Sequence, residues 1–348
     1  MAVYFPWSER VLSDLLKGHD KGELSALDLE LTAKCSQVSC IYCDSKPDVG
    51  KKNPNELNYQ ETEALLDQGK ALGLKWIYIC GLGEPLEDER FVKMAEKASS
   101  LGIRISMFTN GLMIDQEKAF WLKKNGVCLI LKMDSFNAAS FDKILGRKGA
   151  AQKIYDTIGF LLNAGYSKGC EEGYTDLAFS IVPTAFNIKD IEEVILFTKK
   201  NNIFPSIGEL EHAGRAHKNT TYSVLSVDEA QTSELKDTVD RHLGGCYARP
   251  ICPSIIAGVH INDVGNCIVD GDTGLNCKWF MLENPAIKVL GNIREDSLAT
   301  LFSRVKEYRK KCFAESSDGL QRPRSTEYIF GGCGGSPKRI MHLAENHL

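Results

Sequence analysis

Short runs of apolar residues alternate with longer amphipathic stretches along the first 244 residues of the chain. The longer stretches repeat apolar residues at the spacing of one helix face, and several end in glycine, which commonly follows the last turn of a helix. The short runs are rich in β-branched and aromatic residues. They predict six strands, at 26–32, 75–80, 103–109, 127–134, 177–184 and 204–211.

Strands that alternate with helices form parallel βαβ units with right-handed crossovers. Six units are too few to close an eight-stranded barrel, so the pattern predicts an α/β fold with an open, partial (β/α)6 TIM-like barrel. In full barrels, ligands bind at the carboxyl ends of the strands. Side chains that follow the predicted strands are therefore the candidates for a functional site.

The alternation fades after about residue 244. We expect an N-terminal extension at 1–24, the barrel at 25–244 and a second, cysteine-rich domain at 245–348. This last segment holds six of the twelve cysteines. Its patterns predict a hairpin around "NDVG" (262–265) and one helix in "SLATLFSRVKEYRKK" (297–311).

Composition narrows the possible functions. The 348 residues are 43% hydrophobic and 25% charged with a net charge of −4, so no basic domain indicates a nucleic-acid partner. No apolar run approaches 18 residues and the N terminus lacks a signal-peptide pattern, so we expect a cytoplasmic protein without a membrane partner. In a reducing compartment, twelve cysteines indicate metal ligation, catalysis or burial rather than structural disulfides.

Cys35, Cys40 and Cys43 stand in a polar C-x4-C-x2-C loop directly after the first predicted strand. Three thiolates can hold a [4Fe–4S] cluster and leave one iron open for another ligand. A zinc site would need a fourth ligand from a distant part of the chain. Plain burial is the other alternative, although three clustered thiols in a polar loop are poor core material.

This loop resembles the cysteine motif of the radical SAM superfamily, which is usually C-x3-C-x2-C with an aromatic residue before the last cysteine. Tyr42 stands in that position here, and the first gap is one residue longer. The resemblance implies a [4Fe–4S] cluster that binds S-adenosylmethionine (SAM) and cleaves it reductively to a 5′-deoxyadenosyl radical. That radical would abstract a hydrogen atom from the substrate, with electrons from a flavodoxin- or ferredoxin-type donor.

Further segments between residues 27 and 216 resemble the same family in order: "GLGEP" (81–85), "TNG" (109–111), "LKMDS" (131–135), "FSIVPT" (179–184) and "ELEHAGRA" (209–216). The resemblance implies that Glu84 binds the SAM amino group; a plain turn with exposed acids is the alternative. The implied cofactor-binding residues are Tyr42, Gly83, Glu84, Asn110, Lys132 and Ser180.

Cys80 ends the second predicted strand beside "GLGE". A thiol there could return a hydrogen atom to a substrate radical, as in radical epimerisation, and core packing is the alternative. Core packing is also the expectation for Cys128, which lies within a predicted buried strand.

The C-terminal cysteines resemble the SPASM/twitch extension of radical SAM enzymes. Cys246, Cys252 and Cys267 are spaced C-x5-C-x14-C around the predicted hairpin, and Cys333 stands in "GGCGGS". The resemblance implies one auxiliary [4Fe–4S] cluster bound by these four thiolates. Cys312 is the alternative fourth ligand and Cys277 the alternative to Cys267, while a structural zinc site is the competing interpretation.

The substrate is the least determined part. Only 34 residues precede Cys35, which leaves no room for the leader-peptide domain that peptide-modifying members commonly carry. We therefore expect an oxidoreductase or epimerase that dehydrogenates or epimerises a small carbohydrate- or aminocyclitol-like metabolite. The alternatives are an enzyme that modifies a peptide or protein side chain and a non-catalytic zinc or iron–sulfur protein.

Overall fold

The computed structural model describes residues 9–37, 39–43, 52–79, 81–168, 175–208, 210, 214–217, 219–243, 258–270 and 287–315. Several cysteines to which the sequence assigns a role lie outside these residues: Cys80, Cys246, Cys252, Cys277 and Cys333. Their roles stay predictions.

Six parallel strands follow one another across the sheet in chain order, which confirms the predicted open, partial α/β barrel. They are β1 (Ala26–Leu29), β2 (Trp76–Ile79), β3 (Arg104–Thr109), β4 (Val127–Lys132), β5 (Leu177–Ile181) and β6 (Phe204–Ile207). Most are shorter than predicted, because the apolar pattern continues into loops that leave the hydrogen-bonded ladder.

Helices alternate with these strands, as the amphipathic stretches predict, and others precede β1 or follow β6. They are α1 (Glu9–Asp20), α2 (Tyr59–Ala71), α3 (Phe91–Ser100), α4 (Gln116–Lys124), α5 (Ala138–Leu145), α6 (Ala150–Asn163), α7 (Ile191–Lys200), α8 (Asn219–Leu225) and α9 (Glu229–Leu243). A capping box starts α2: Glu61 N–H donates to the Asn58 side chain at 3.0 Å, and Asn58 N–H donates to the Glu61 carboxylate at 2.7 Å. No helix in the described part of the chain is long and apolar enough to span a membrane.

The strands use their two faces differently. Residues such as Leu27, Ile77 and Ile105 belong to the hydrophobic core. The alternate residues point to the opposite face because successive side chains of a strand alternate. One register row on that face runs through His260, Asp28, Tyr78, Ser106 and Cys128, all at most 2% exposed. The burial of Cys128 agrees with the predicted packing role.

The C-terminal strands continue the barrel sheet. β7 (Gly258–Ile261) pairs parallel with β1, followed by antiparallel β8 (Asn266–Asp270) and β9 (Ile287–Asn292). The sheet order is β6-β5-β4-β3-β2-β1-β7-β8-β9. The predicted hairpin is confirmed, with Gly265 at φ 86° in its turn. The predicted helix is α10 (Leu298–Glu315).

On β7, the side chain of His260 is completely buried between the Asp28 carboxylate of β1 and the Glu30 carboxylate, which directly follows β1. Its Nδ1 lies 3.6 Å from the Asp28 carboxylate and its Nε2 lies 3.6 Å from the Glu30 carboxylate. The C-terminal segment therefore meets the barrel through buried polar contacts as well as backbone pairing. The domain boundary at residue 245 stays a prediction.

Candidate active site at the carboxyl ends of the strands

The three-cysteine loop leaves the carboxyl end of β1 and is anchored at its start by Glu56. This carboxylate accepts hydrogen bonds from the Thr32 hydroxyl and from Ala33 N–H, both at 3.0 Å. Arg90 in turn donates to Glu56 at 3.3 Å and to Leu31 C=O at 2.6 Å. The start of the loop is therefore fixed by the buried Glu56 carboxylate, which is itself paired with the Arg90 guanidinium.

The middle of the loop is held by two other parts of the barrel. Gln37 and Ser39 donate from their side chains to Leu145 C=O at the end of α5, at 2.7 and 2.9 Å. Arg215 donates from its guanidinium to Cys40 C=O at 2.8 Å and from its backbone N–H to Cys43 C=O at 2.9 Å. Hydrogen bonds from α5 and Arg215 thus fix the backbone of this loop.

The three thiols are partly buried, and negative charge on one raises the pKa of a neighbour: Cys40 acts on Cys35, and Cys43 acts on Cys40. Burial, together with the negative charges of Glu84, Glu87 and Cys40, raises the pKa of Cys35 to about 12. Burial also raises the pKa of Cys40, against the lowering effect of Lys132. A coordinated thiol is deprotonated outright. The positive charge of bound iron would offset both the cost of burying the thiolates and their mutual repulsion. The donor set therefore fits an iron–sulfur cluster.

Within the described ranges, no three His, Cys, Asp or Glu side chains are placed so that they could hold a single metal ion. The three cysteines are thus not arranged around one ion. In a cluster of four irons, each thiolate binds a different iron.

The "GLGEP" segment lies directly against the cysteine loop. Glu84 N–H donates to Lys34 C=O at 2.8 Å. A Cβ atom on Gly83 would lie 2.2 Å from that same carbonyl oxygen, so only glycine permits this approach. Two loops separated by some 50 residues are in backbone contact here.

Glu84 is buried, only 3% exposed, so the alternative of a turn with exposed acids is wrong. Its carboxylate accepts from the Thr109 hydroxyl and from Asn110 N–H, both at 2.7 Å. Burial raises its pKa to about 7, and these hydrogen bonds act in the opposite direction. The structure thus brings Gly83, Glu84 and Asn110 together at the ends of β2 and β3.

Lys132, at the end of β4, reaches the cysteine loop through Tyr42. Its ammonium group donates to the Tyr42 hydroxyl and, at 2.7 Å, to the Asp134 carboxylate. The same nitrogen lies 4.1 Å from the centroid of the Tyr42 ring. Tyr42 donates to Asp134 at 2.7 Å, and Val182 N–H donates to that carboxylate at 2.9 Å. These contacts tie β4, β5 and the cysteine loop together.

Ser180 is the register partner of Lys132 on β5, so it lies beside this group. Every predicted SAM-site residue is therefore described and lies at the carboxyl ends of β2–β5 or in the cysteine loop. Sequence reasoning did not single out Asp134, Arg215 or Glu56. Asp134 and Arg215 stand inside quoted motifs, whereas Glu56 stands in none. Its links to Thr32, Ala33 and Arg90 span 23 or more residues, so no local pattern indicates them.

At the C-terminal site the structure describes two of the candidate thiols. Cys267, on β8, is buried, which raises its pKa to about 12. Arg309, on α10, is completely buried, which lowers its pKa to about 10 against the opposing charges of Cys267 and Cys312. The two thiols therefore lie near a shared cation.

A family model described as the radical SAM superfamily matches residues 29–197. The mycofactocin maturase MftC of Mycolicibacterium smegmatis is 26% identical over 259 residues, which are 70% of this chain and 61% of that protein. The AdoMet-dependent heme synthase of Nitratidesulfovibrio vulgaris is 31% identical over 39% of this chain and 36% of that protein. The PqqA peptide cyclase of Gluconobacter oxydans is 31% identical over 36% of this chain and 35% of that protein.

Among solved structures, Streptococcus suis SuiB bound to S-adenosylmethionine matches with a TM-score of 0.59 at 16% identity, over 85% of this chain and 70% of that one. This match shows a shared fold. Residues 29–197, which the family model matches, contain the three-cysteine loop, "GLGEP" and the ends of β2–β5. This segment of the chain therefore belongs to the radical SAM superfamily.

Proposed function

We propose that this protein is a radical SAM enzyme that modifies a peptide or protein side chain. The observation that carries the radical SAM part is the meeting of three thiols, the buried Glu84 carboxylate and the Lys132 group at one end of the sheet. A cluster held by Cys35, Cys40 and Cys43, with SAM on its open iron, would supply a 5′-deoxyadenosyl radical that abstracts a hydrogen atom from the substrate.

Each residue of the site has a role that follows from its surroundings. Arg215 and the end of α5 hold the backbone of the cysteine loop, which would lower the entropy cost of binding the cluster. The Glu84 carboxylate is buried and faces no cation at hydrogen-bonding distance within the described part of the chain. It would bind the cationic amino group of SAM by a charge-assisted hydrogen bond. Gly83 permits its approach, and Asn110 orients it through a backbone N–H.

Two of the relatives named above bear on the substrate class. PqqA peptide cyclase acts, by its name, on a peptide, and this favours the peptide alternative over a carbohydrate- or aminocyclitol-like metabolite. The heme synthase match supports a second candidate, a tetrapyrrole substrate. The aligned regions cover about a third of both proteins, so substrate class and reaction type, including oxidation and epimerisation, remain proposals.

We also retain the auxiliary cluster as a proposal. Cys246, Cys252 and Cys267 would supply three thiolates, with Cys333 or Cys312 as the fourth. The shared effect of Cys267 and Cys312 on Arg309 supports Cys312 as a neighbour of this site. Four thiolates would leave no open iron, which suits structure or electron transfer.

The first experiment tests radical generation. Anaerobically reconstituted protein is mixed with dithionite and SAM, and 5′-deoxyadenosine is measured. We expect its formation by the wild type and its loss in Cys35→Ala, Cys40→Ala and Cys43→Ala. An exposed-site control, Glu117→Gln, should form as much as the wild type. Iron-loaded wild type that forms none, or a cysteine variant that forms as much, would contradict the proposal.

The second experiment tests the substrate class. Extracts of source cells grown in deuterated medium are separated by size and added to the reaction. Deuterium in 5′-deoxyadenosine marks the fraction that contains the substrate. We expect protease treatment of that fraction to abolish deuterium transfer. Transfer that survives protease and follows a tetrapyrrole absorbance, or a sugar fraction, would refute the peptide assignment.

A further inference from the structure

Lys132 places a positive charge at the end of β4, beside the Tyr42 side chain. Its side chain is 18% exposed, and its carboxylate partner, Asp134, is completely buried. The ammonium group cannot swing freely, because it is held by Asp134, by the Tyr42 hydroxyl and over the Tyr42 ring. Because its position is fixed, the ammonium group exerts a constant electrostatic effect on neighbouring groups.

Its surroundings include a cysteine of the loop. Tyr42 directly precedes Cys43, and the Tyr42 hydroxyl accepts a hydrogen bond from the Lys132 ammonium group, which also lies over the Tyr42 ring. A second cation adjoins the loop, because the Arg215 guanidinium donates to Cys40 C=O at 2.8 Å. Lys132 thus contacts the residue next to a proposed cluster ligand without being a ligand itself.

The charges around the loop are unevenly distributed. Beside Cys35, the Glu87 carboxylate accepts from Ser36 N–H at 2.7 Å, and Glu84 N–H donates to Lys34 C=O at 2.8 Å. Toward Cys40 and Cys43, the loop instead contacts Arg215 and Lys132, with Asp134 as the opposing carboxylate. A cation beside one thiolate stabilises added negative charge, and low solvent exposure strengthens the effect.

We infer that Lys132 is a positioning residue that sets the reduction potential of the cluster bound by Cys35, Cys40 and Cys43. Held by Asp134 and Tyr42, its charge stabilises the reduced cluster, which carries one more electron than the oxidised cluster, and so eases electron transfer from the donor protein. No proton or bond change accompanies this step: one electron leaves the donor and enters the cluster. The inference rests on the proposed function, since it requires that cluster.

The test is an anaerobic redox titration of the full chain without SAM, followed by the electron paramagnetic resonance of the reduced cluster. The signal of the relevant cluster is identified as the one that SAM addition changes and that Cys40→Ala lacks. We expect Lys132→Met to lower the midpoint potential by about 59 mV or more, which is a tenfold fall in the reduction equilibrium of a one-electron couple. Lys132→Arg, which retains the charge, should remain near the wild type.

A charge-paired variant separates electrostatics from structure. Asp134→Asn removes the opposing negative charge and keeps an acceptor for Val182 N–H, so we expect a higher midpoint potential. The double variant Lys132→Met/Asp134→Asn should return close to the wild-type potential. If Lys132 were only structural, the double variant would deviate at least as far as the single one.

Three outcomes would overturn the inference: an unchanged potential in Lys132→Met with its iron intact, a double variant further from the wild type than either single variant, or equal shifts in Met and Arg. If Lys132→Met loses iron, Asp134→Asn decides, and an unchanged potential there refutes the inference. Absence of any signal that depends on Cys40 would instead refute the proposed function.

Discussion

Glu84→Gln tests whether burial governs the charge of the carboxyl group at the centre of the site. Burial raises the pKa of Glu84 to about 7 from its ordinary value of 4.5. Between about pH 4.5 and 7 the folded chain therefore holds a proton that the unfolded chain has released. The free energy of unfolding must decrease as pH rises through that window, because the unfolded state binds fewer protons.

The size of the effect follows from the same values. One pH unit of pKa difference corresponds to about 1.36 kcal/mol, so ionised Glu84 costs the SAM-free fold about 3 kcal/mol above pH 7. Glutamine has nearly the same shape, can accept from Asn110 N–H and can donate to the Thr109 hydroxyl. Its contribution to stability should therefore be independent of pH.

The assay is urea unfolding of SAM-free protein under anaerobic conditions, followed by far-ultraviolet circular dichroism at pH 5, 6, 7 and 8. From pH 5 to pH 8, which covers most of the window, the unfolding free energy of Glu84→Gln should rise relative to the wild type by about 2.5 kcal/mol. Glu117→Gln removes an exposed carboxylate on α4 and should show no such trend. A difference between Glu84→Gln and the wild type that is constant across pH would refute the reasoning.

Two further substitutions test how the site is held. Arg90→Met should lower the free energy of unfolding by about 3–5 kcal/mol in urea denaturation, because it leaves the buried Asp88 carboxylate without its cation. Gly83→Ala should sharply reduce iron and acid-labile sulfide per chain. Its new Cβ atom would lie 2.2 Å from Lys34 C=O and would push the cysteine loop away.

Matched controls make both results interpretable. Arg241→Met breaks an ion pair whose arginine is 59% exposed, and it should cost at most about 1 kcal/mol. Gly159→Ala adds a Cβ atom that meets nothing within 4 Å on α6, so iron content should match the wild type. Equal destabilisation by the two arginine variants, or full iron content in Gly83→Ala, would show that these contacts do not support the site.

Local patterns were sufficient for the order of strands and helices and for the position of the site. The apolar run ending at Lys132 predicts β4, and parallel strands bring their carboxyl ends to one edge. The contact between Lys132 and Tyr42 could not be predicted from the sequence. The two residues are 90 positions apart, and the contact depends on how β4 lies against the loop. Glu56 was missed for the same reason, since its role depends on loops that close in space.

The C-terminal segment illustrates a second limit. Its hairpin and α10 are visible in short windows of sequence, but the parallel pairing of β7 with β1 joins residues more than 230 positions apart. Nothing in the pattern of 258–261 distinguishes a partner in the hairpin from one in the barrel. The sequence therefore suggested a separate unit where the described strands continue a single sheet.

The place of β1 inside that sheet has a consequence for how the chain can be divided. β1 is bonded to β2 on one side and to β7 on the other. A chain cut at residue 244 would expose one edge of β1, with unpaired backbone groups and the Asp28 and Glu30 carboxylates that His260 now covers. The cysteine loop follows that strand, so the strand that leads into the proposed cluster site is paired on both sides only when β7 has folded onto it.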